Sequence, residues 1–504
     1  ASFITGRKPE EHGVLDFLVR DPTTYAPDLV LADRRDLATP WNGTPFWEEP
    51  AVRRYGSTII RVPLTFPPPS LNGRLLSGMG VWDARGTQGT YFFYSTGKLP
   101  EDPRGMVFPL RVERGILRGH LPGPYRSGTA DDVRQIFELE LQAERARLSL
   151  QDRTYELTAG KWSQWIETRF ELGPLGLDAI HVTTRALWWR SEDGEVNLYI
   201  SPLNFDPERP SYPISRPASY ARELHEATGP YHTRGMPYDN VALSDGVLSD
   251  EAFLKQWDTV LGERERMLSH ELDRFNGGLL VAYFEAPDII QHMYWRAIDP
   301  EHPAYSQQVA EQFGEVIPEC YRRMDVILGK TMAALGRGHQ IVVLSDHGFG
   351  PFRRAVHLNA VLRELGYLRL KGKHRTSPEF FNNVDWRRTR AYAVGFNAVY
   401  LNLIGREGRG TVEQARAESE AMRVAEMLRN YEDKGGNKPI RSVTVRDNPG
   451  TGPDLIVGYD RGYRASWQTS LGGVPERPVE PNRDKWSGDH LVDAELVRGI
   501  FLSS

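Results

Sequence analysis

Cysteine is almost absent. Cys320 is the only one in 504 residues, so an intramolecular disulfide and a thiolate-rich metal site are both excluded. The lack of disulfides leaves the compartment open, because exported proteins also manage without them. Long apolar runs are missing too. No uncharged apolar stretch reaches the roughly 18 residues that a membrane-spanning helix needs, so the visible chain offers no transmembrane segment. A basic surplus is also lacking. The 62 Lys and Arg stand against 67 Asp and Glu for a net charge of −5, which gives no sign of a nucleic-acid-binding surface. Internal repeats and low-complexity tracts are absent. The opening Ala1-Ser2-Phe3-Ile4-Thr5-Gly6 has neither Met nor a polar lead-in. It reads as the inside of a structural element, and it leaves a secretory signal unjudged. What remains is ordinary for a globular protein, with 40% hydrophobic and 26% charged residues. The length suits a large core with one elaboration.

Three textures follow one another along the chain. Up to Thr96, short apolar runs alternate with turns; Ser57-Thr58-Ile59-Ile60-Arg61-Val62 reads as a buried strand, and Pro67-Pro68-Pro69 forces a loop. From 97 to 205 the period is two, as in Ile136–Leu141, Ala146–Leu150 and Glu195–Ile200. This predicts half-buried antiparallel strands, hence an inserted β-rich domain. Its Trp162, Trp165, Trp188 and Trp189 are read as packing residues rather than a binding platform. After Asp206, helix and strand alternate. Helices are expected over 249–275, 306–335 and 411–429, with apolar strands at 278–284 and 340–345. The core, 1–96 with 206–504, is therefore predicted to be α/β: a mainly parallel sheet covered by helices on both faces.

In open α/β sheets, ligands bind beyond the C-terminal ends of the strands. The 278–284 strand runs into Pro287-Asp288-Ile289-Ile290-Gln291-His292. Asp288 and His292, four apart, share one helix face and could share a metal. The 340–345 strand ends in Asp346-His347-Gly348. Both side chains can reach a metal there if the backbone turns, which Gly348 permits. Near the C-terminus, His490 sits in the polar loop Asn482-Arg483-Asp484-Lys485-Trp486-Ser487-Gly488-Asp489-His490. Each piece alone is commonplace: a solvated helix face, an Asx turn, a stray histidine. Together Asp288, His292, His490, Asp346 and His347 supply oxygen and imidazole ligands without thiolate. That set suits Zn²⁺, with Mn²⁺ also possible, in a hydrolytic site. Two such ions about 3.5–4 Å apart clamp the attacking and leaving oxygens of phosphoryl transfer.

The pattern resembles the alkaline phosphatase superfamily, in its type I phosphodiesterase and nucleotide pyrophosphatase branch, over most of the chain outside the insert. Thr5-Gly6-Arg7-Lys8-Pro9-Glu10-Glu11-His12-Gly13-Val14 is similar to that family's segment just after the nucleophile. Asp288 with His292, Ser345-Asp346-His347-Gly348, and Gly488-Asp489-His490 resemble its ligand motifs. The resemblance implies an alkaline-phosphatase-like fold. It implies that Asp288, His292 and His490 hold one metal, and Asp346 and His347 the other. It places the nucleophilic Ser or Thr, a further aspartate ligand and the first strand of the sheet before Ala1. Ser2, Thr5 and His12 are then structural. The implied activity is in-line displacement on a small phosphoester substrate through a phosphoenzyme.

Softer candidates are Arg61, Arg85 and Arg353 as phosphate contacts, and His357 and Asn359 as pocket lining. The 231–245 segment is similar to a connecting stretch of the same branch and receives no role. Two alternatives stay open: a phosphomonoesterase of the same superfamily, and a non-catalytic metal- or carbohydrate-binding protein using the Trp-rich insert. A sulfatase does not fit, because Cys320 lies in Glu319-Cys320-Tyr321-Arg322-Arg323 rather than in a Cys-x-Pro-x-Arg motif. The sequence chooses no compartment and no oligomeric state.

Overall fold

The computed structural model describes residues 1–30, 38–125, 132–172, 179–447 and 449–504. At its centre Ser57–Ile60 is a strand buried at every position, as its β-branched run requires. It pairs in parallel with Gly73–Leu76 on one side and Leu279–Ala282 on the other. Ser215–Arg216 adds an antiparallel edge. Helix Asp250–Asp273 crosses this sheet, its first turn capped by the Ser249 hydroxyl, which accepts from the Ala252 amide. It buries Phe253, Trp257, Val260, Leu261 and Met267. The Leu279–Ala282 strand then leads into helix Ala286–Tyr294.

The expected single helix over 306–335 is two, Gln307–Phe313 and Val316–Leu335. The break falls at Gly314, the residue least favoured in a helix interior after proline. The helix expected over 411–429 spans only Ala417–Arg429, behind a short 3₁₀ turn at Gln414–Arg416.

The sheet structure is also less parallel than the alternation suggests. Val342–Leu344 pairs antiparallel with Phe501–Ser503, and it has no other strand partner among the described residues. Gly350–Val356 runs parallel to Gly462–Ala465 but antiparallel to Val479–Pro481 and Gly488–Asp489. A second, wholly antiparallel sheet joins Ala391–Ala393, Ala398–Leu401, Leu455–Tyr459 and Ile440–Val445. In this sheet the connections 394–397 and 446–454 are short returns, and short returns make antiparallel neighbours; helix Ala417–Arg429 lies between Leu401 and Ile440.

The period-two region forms a five-stranded antiparallel sheet in the order 153–158, 145–150, 132–142, 116–125, 111–113. Strand Phe92–Ser95, upstream of 97, shares another sheet with Val196–Ile200. Three of the four tryptophans pack. Trp188 is fully buried. Trp162 donates to the Ala252 carbonyl, and Trp189 stacks on Phe93.

Candidate metal centre

Pro287 in the first turn starts helix Ala286–Tyr294 just beyond the Leu279–Ala282 strand. Asp288 and His292 therefore project from one face, with Asp288 Oδ2 3.5 Å from His292 Nε2. The distant His490 arrives on the far side of the same carboxylate, its Nε2 3.7 Å from Asp288 Oδ1. His347 Nε2 stands 4.0 Å from that Oδ1 and 3.7 Å from Asp346. The His347 and His490 rings stack with centroids 3.6 Å apart. The sequence pieces at 288, 292, 346, 347 and 490 thus converge on one spot.

These spacings are too long for direct hydrogen bonds to Oδ1 and right for a shared cation. The ligand atoms of Asp288, His292 and His490 all lie within 4.8 Å of one another. A tetrahedral ion with bonds of about 2.1 Å sets its ligands about 3.4 Å apart. Asp288 Oδ1 is buried with no hydrogen-bond partner. Buried carboxylate oxygens are nearly always partnered, so the donor set fits a divalent metal. His292 Nδ1 sits 2.7 Å from the Gly488 carbonyl. It acts there as the N–H donor, which leaves Nε2 facing Asp288. His347 Nδ1 makes the equivalent contact with the Gly348 carbonyl at 2.9 Å. Among the described residues no second group of three potential ligands forms around Asp346 and His347.

Burial and charge oppose one another here. Burial alone raises Asp288, but His292, His490 and His347 outweigh it and hold the carboxyl below its usual range. Burial depresses His292, yet Asp288 and Asp489 carry it above the ordinary imidazole value. His490 is pushed down to about 4 by burial, with His292 and His347 adding to the effect.

A second layer holds the ligands, and sequence reasoning gave it no role. Asp489, wholly buried, forms an ion pair with Arg464 Nε at 2.9 Å and accepts from Trp486 Nε1 at 2.8 Å and from the amides of His490 and Leu491. Trp486 stacks on His292 with centroids 3.7 Å apart, and Phe349 meets the same ring edge-on. The Ser487 amide donates to the His292 carbonyl at 2.6 Å. A charged residue beside His490 in a tight polar loop was the only signal for Asp489. Arg464, in a strand far from any motif, gave none.

The softer candidates turn away from the site. The Arg61 guanidinium is buried against the carbonyls of Ser77, Thr233, Arg234 and Gly235. Arg85 binds the Gly123 carbonyl and Tyr125. Arg353 is held by Asp299 and Glu301. His357 pairs with Ser466 and Glu480, and Asn359 donates to the Ala393 carbonyl. Near the start, Ser2 bonds His12, and the Thr5 hydroxyl donates to the Ala1 carbonyl.

The family model for type I phosphodiesterase / nucleotide pyrophosphatase matches residues 1–147 and 165–465. The chain belongs to that family. No curated protein is similar enough to the sequence to count as a match. For a type I phosphodiesterase / nucleotide pyrophosphatase family member the general reading is a phosphoester hydrolase, and such enzymes are typically metal-dependent. The matched residues contain Asp288, His292, Asp346 and His347 and stop short of His490. The geometry brings His490 to the site independently of the match.

Proposed function

We propose that this chain is a two-metal phosphoester hydrolase, of phosphodiesterase or nucleotide pyrophosphatase type, acting by in-line displacement. The observation that carries the reading is the convergence of Asp288, His292 and His490, from two distant stretches, around a buried carboxylate oxygen without a partner. Asp288, His292 and His490 would hold one divalent ion; Asp346 and His347 would contribute to a second. Bound there, Zn²⁺ or Mn²⁺ supplies charge neutralisation at phosphorus and a lowered pKa for an attacking hydroxyl. The chain's own part is positional. Asp288 brings the negative charge. Gly488 and Gly348 fix the tautomers of His292 and His347. Trp486 and Phe349 close the side of His292 away from Asp288 to water. The proton on His292 Nε2 must leave before the ring can act as a ligand.

The nucleophile is inferred to come from chain ahead of Ala1. Ser2 and Thr5 are committed to local hydrogen bonds. Among the described residues Leu279–Ala282 and Val342–Leu344 each have one unpaired edge, and Val342 and Leu344 are 45% and 40% exposed. Either edge could take a further apolar strand.

The test is metal content by mass spectrometry, calorimetric Zn²⁺ titration of chelator-stripped protein, and turnover of bis-p-nitrophenyl phosphate against the monoester, all on protein extended upstream. About two ions per chain are expected, with binding and turnover lost in His292→Ala and His490→Ala. The diester-to-monoester ratio then separates the phosphodiesterase from a phosphomonoesterase. Absence of both metal and turnover would overturn the reading.

A further inference from the structure

A cleft of about 400 Å³ opens on a different part of the surface, where the antiparallel region meets helix Asp250–Asp273. Trp165 and Pro230 form its apolar walls, and Arg185, Arg266, Thr259 and Glu263 its polar ones. The Arg185 head donates from Nε to the Ser163 carbonyl and contacts the Thr259 hydroxyl at 3.4 Å. It lies 5.5 Å over Trp162. Arg266 donates from Nε to the Thr228 carbonyl. Among the described residues neither has a carboxylate within ion-pair distance.

The nearby carboxylates are already used. Glu263 is buried and spent on His232, at 2.9 Å, and on Arg264. Glu167, at the rim, is paired with Arg153. Burial also holds the Arg185 guanidinium below its usual range, with Glu263 only partly offsetting it. Beneath the apolar wall, Trp165 rests edge-on against the buried His232 ring at 4.7 Å, and His232 Nε2 has no partner. A half-buried guanidinium without a counter-ion is costly. Its planar fork matches a phosphate or carboxylate.

We propose that this cleft is a binding site for a small phosphoryl or phosphonyl dianion carrying a flat organic group, with the charge held by Arg185 and Arg266 and the ring against Trp165. The volume, within the usual range for small-molecule sites of about 300–1,000 Å³, leaves room beside the dianion for one ring. The site shares no residue with the metal centre, so it stands or falls apart from the hydrolase reading.

The experiment is isothermal titration of chelator-stripped full chain with inorganic phosphate and with phenylphosphonate. Stripping the metal silences phosphate binding at the other centre, and the phosphonate cannot be hydrolysed. One saturable site per chain is expected, with phenylphosphonate bound more tightly than phosphate and both weakened by added salt. Arg185→Gln and Arg266→Gln should each raise the dissociation constant about tenfold or more. Trp165→Ala should erase the preference for the ring compound, and His292→Ala should change nothing. Where Arg185→Gln fails to show the parent's thermal melt, Arg266→Gln, on the exposed side of its helix, carries the test. Non-saturable heat, binding indifferent to both arginine variants, or binding lost in His292→Ala would overturn the proposal.

Discussion

His292 and His490 flank one carboxylate and are driven apart by what surrounds them. Burial lowers both, but Asp288 and Asp489 reverse the sign for His292 alone. In metal-free protein His292 is therefore protonated somewhat above its ordinary 6.5. Its ion pair stabilises the fold fully below that value and is lost as pH rises through the higher folded one. His490, held down to about 4, is neutral throughout the physiological range. A metal at Nε2 competes with the His292 proton and not with one on His490. Zinc affinity should then climb as pH rises from 6 and level off only above 6.5, with proton release visible as a buffer-dependent heat. A pH dependence centred near 4 would instead assign the competing proton to His490.

At the same scale, Arg464 and Asp489 form an ion pair with 1% and 0% side-chain exposure. Removing one partner of such a pair strands the other and costs about 3–5 kcal/mol. Arg464→Gln should lose that much in urea unfolding and also weaken zinc binding, because Asp489 sets the His490 backbone. Unchanged zinc affinity in a destabilised Arg464→Gln would confine the pair to a packing role.

At the scale of elements, the centre depends on how closely strand Gly488–Asp489 approaches helix Ala286–Tyr294. A Cβ at Gly488 would stand 2.5 Å from the Gln291 carbonyl oxygen and 2.9 Å from Trp295 Cβ. The first contact is backbone and cannot swing aside. Gly488→Ala should push the His490 loop off the helix, break the Gly488 carbonyl contact to His292, and lower zinc affinity at least tenfold while far-ultraviolet circular dichroism stays that of the parent. Full affinity in this variant would mean that the loop tolerates the shift.

This dependence on contact explains what could be read in advance. Asp288 with His292, and Asp346 with His347, follow from helix periodicity and strand ends, which are local properties. The break at Gly314 was also local, but a long apolar stripe masked it. The direction of strands after 350 was not local. The run Gly350–Val356 accepts a parallel neighbour at 462–465 and antiparallel ones at 479–481 and 488–489, and the same residues would serve either. Arg464 and Trp486 were illegible for the same reason, since their roles exist only once a strand and a loop more than twenty residues apart enclose Asp489.

At the scale of the whole molecule, the composition change near 97 suggests an inserted β-rich domain, and its apolar packing runs on into the body. One continuous apolar cluster holds Phe137 and Leu139 from the antiparallel sheet together with Ile60 and Leu76 from the parallel strands and Met267 from helix 250–273. Truncating a buried phenylalanine leaves a cavity worth about 3–5 kcal/mol. Because the cluster spans both regions, that loss should fall on both. Phe137→Ala is expected to lower a single calorimetric transition and to shift the near-ultraviolet signal of the insert tryptophans and the zinc-protected melt of the metal centre by the same amount. Two resolved transitions, with the lower alone displaced, would show that the insert melts by itself and that the shared cluster does not couple it to the metal centre.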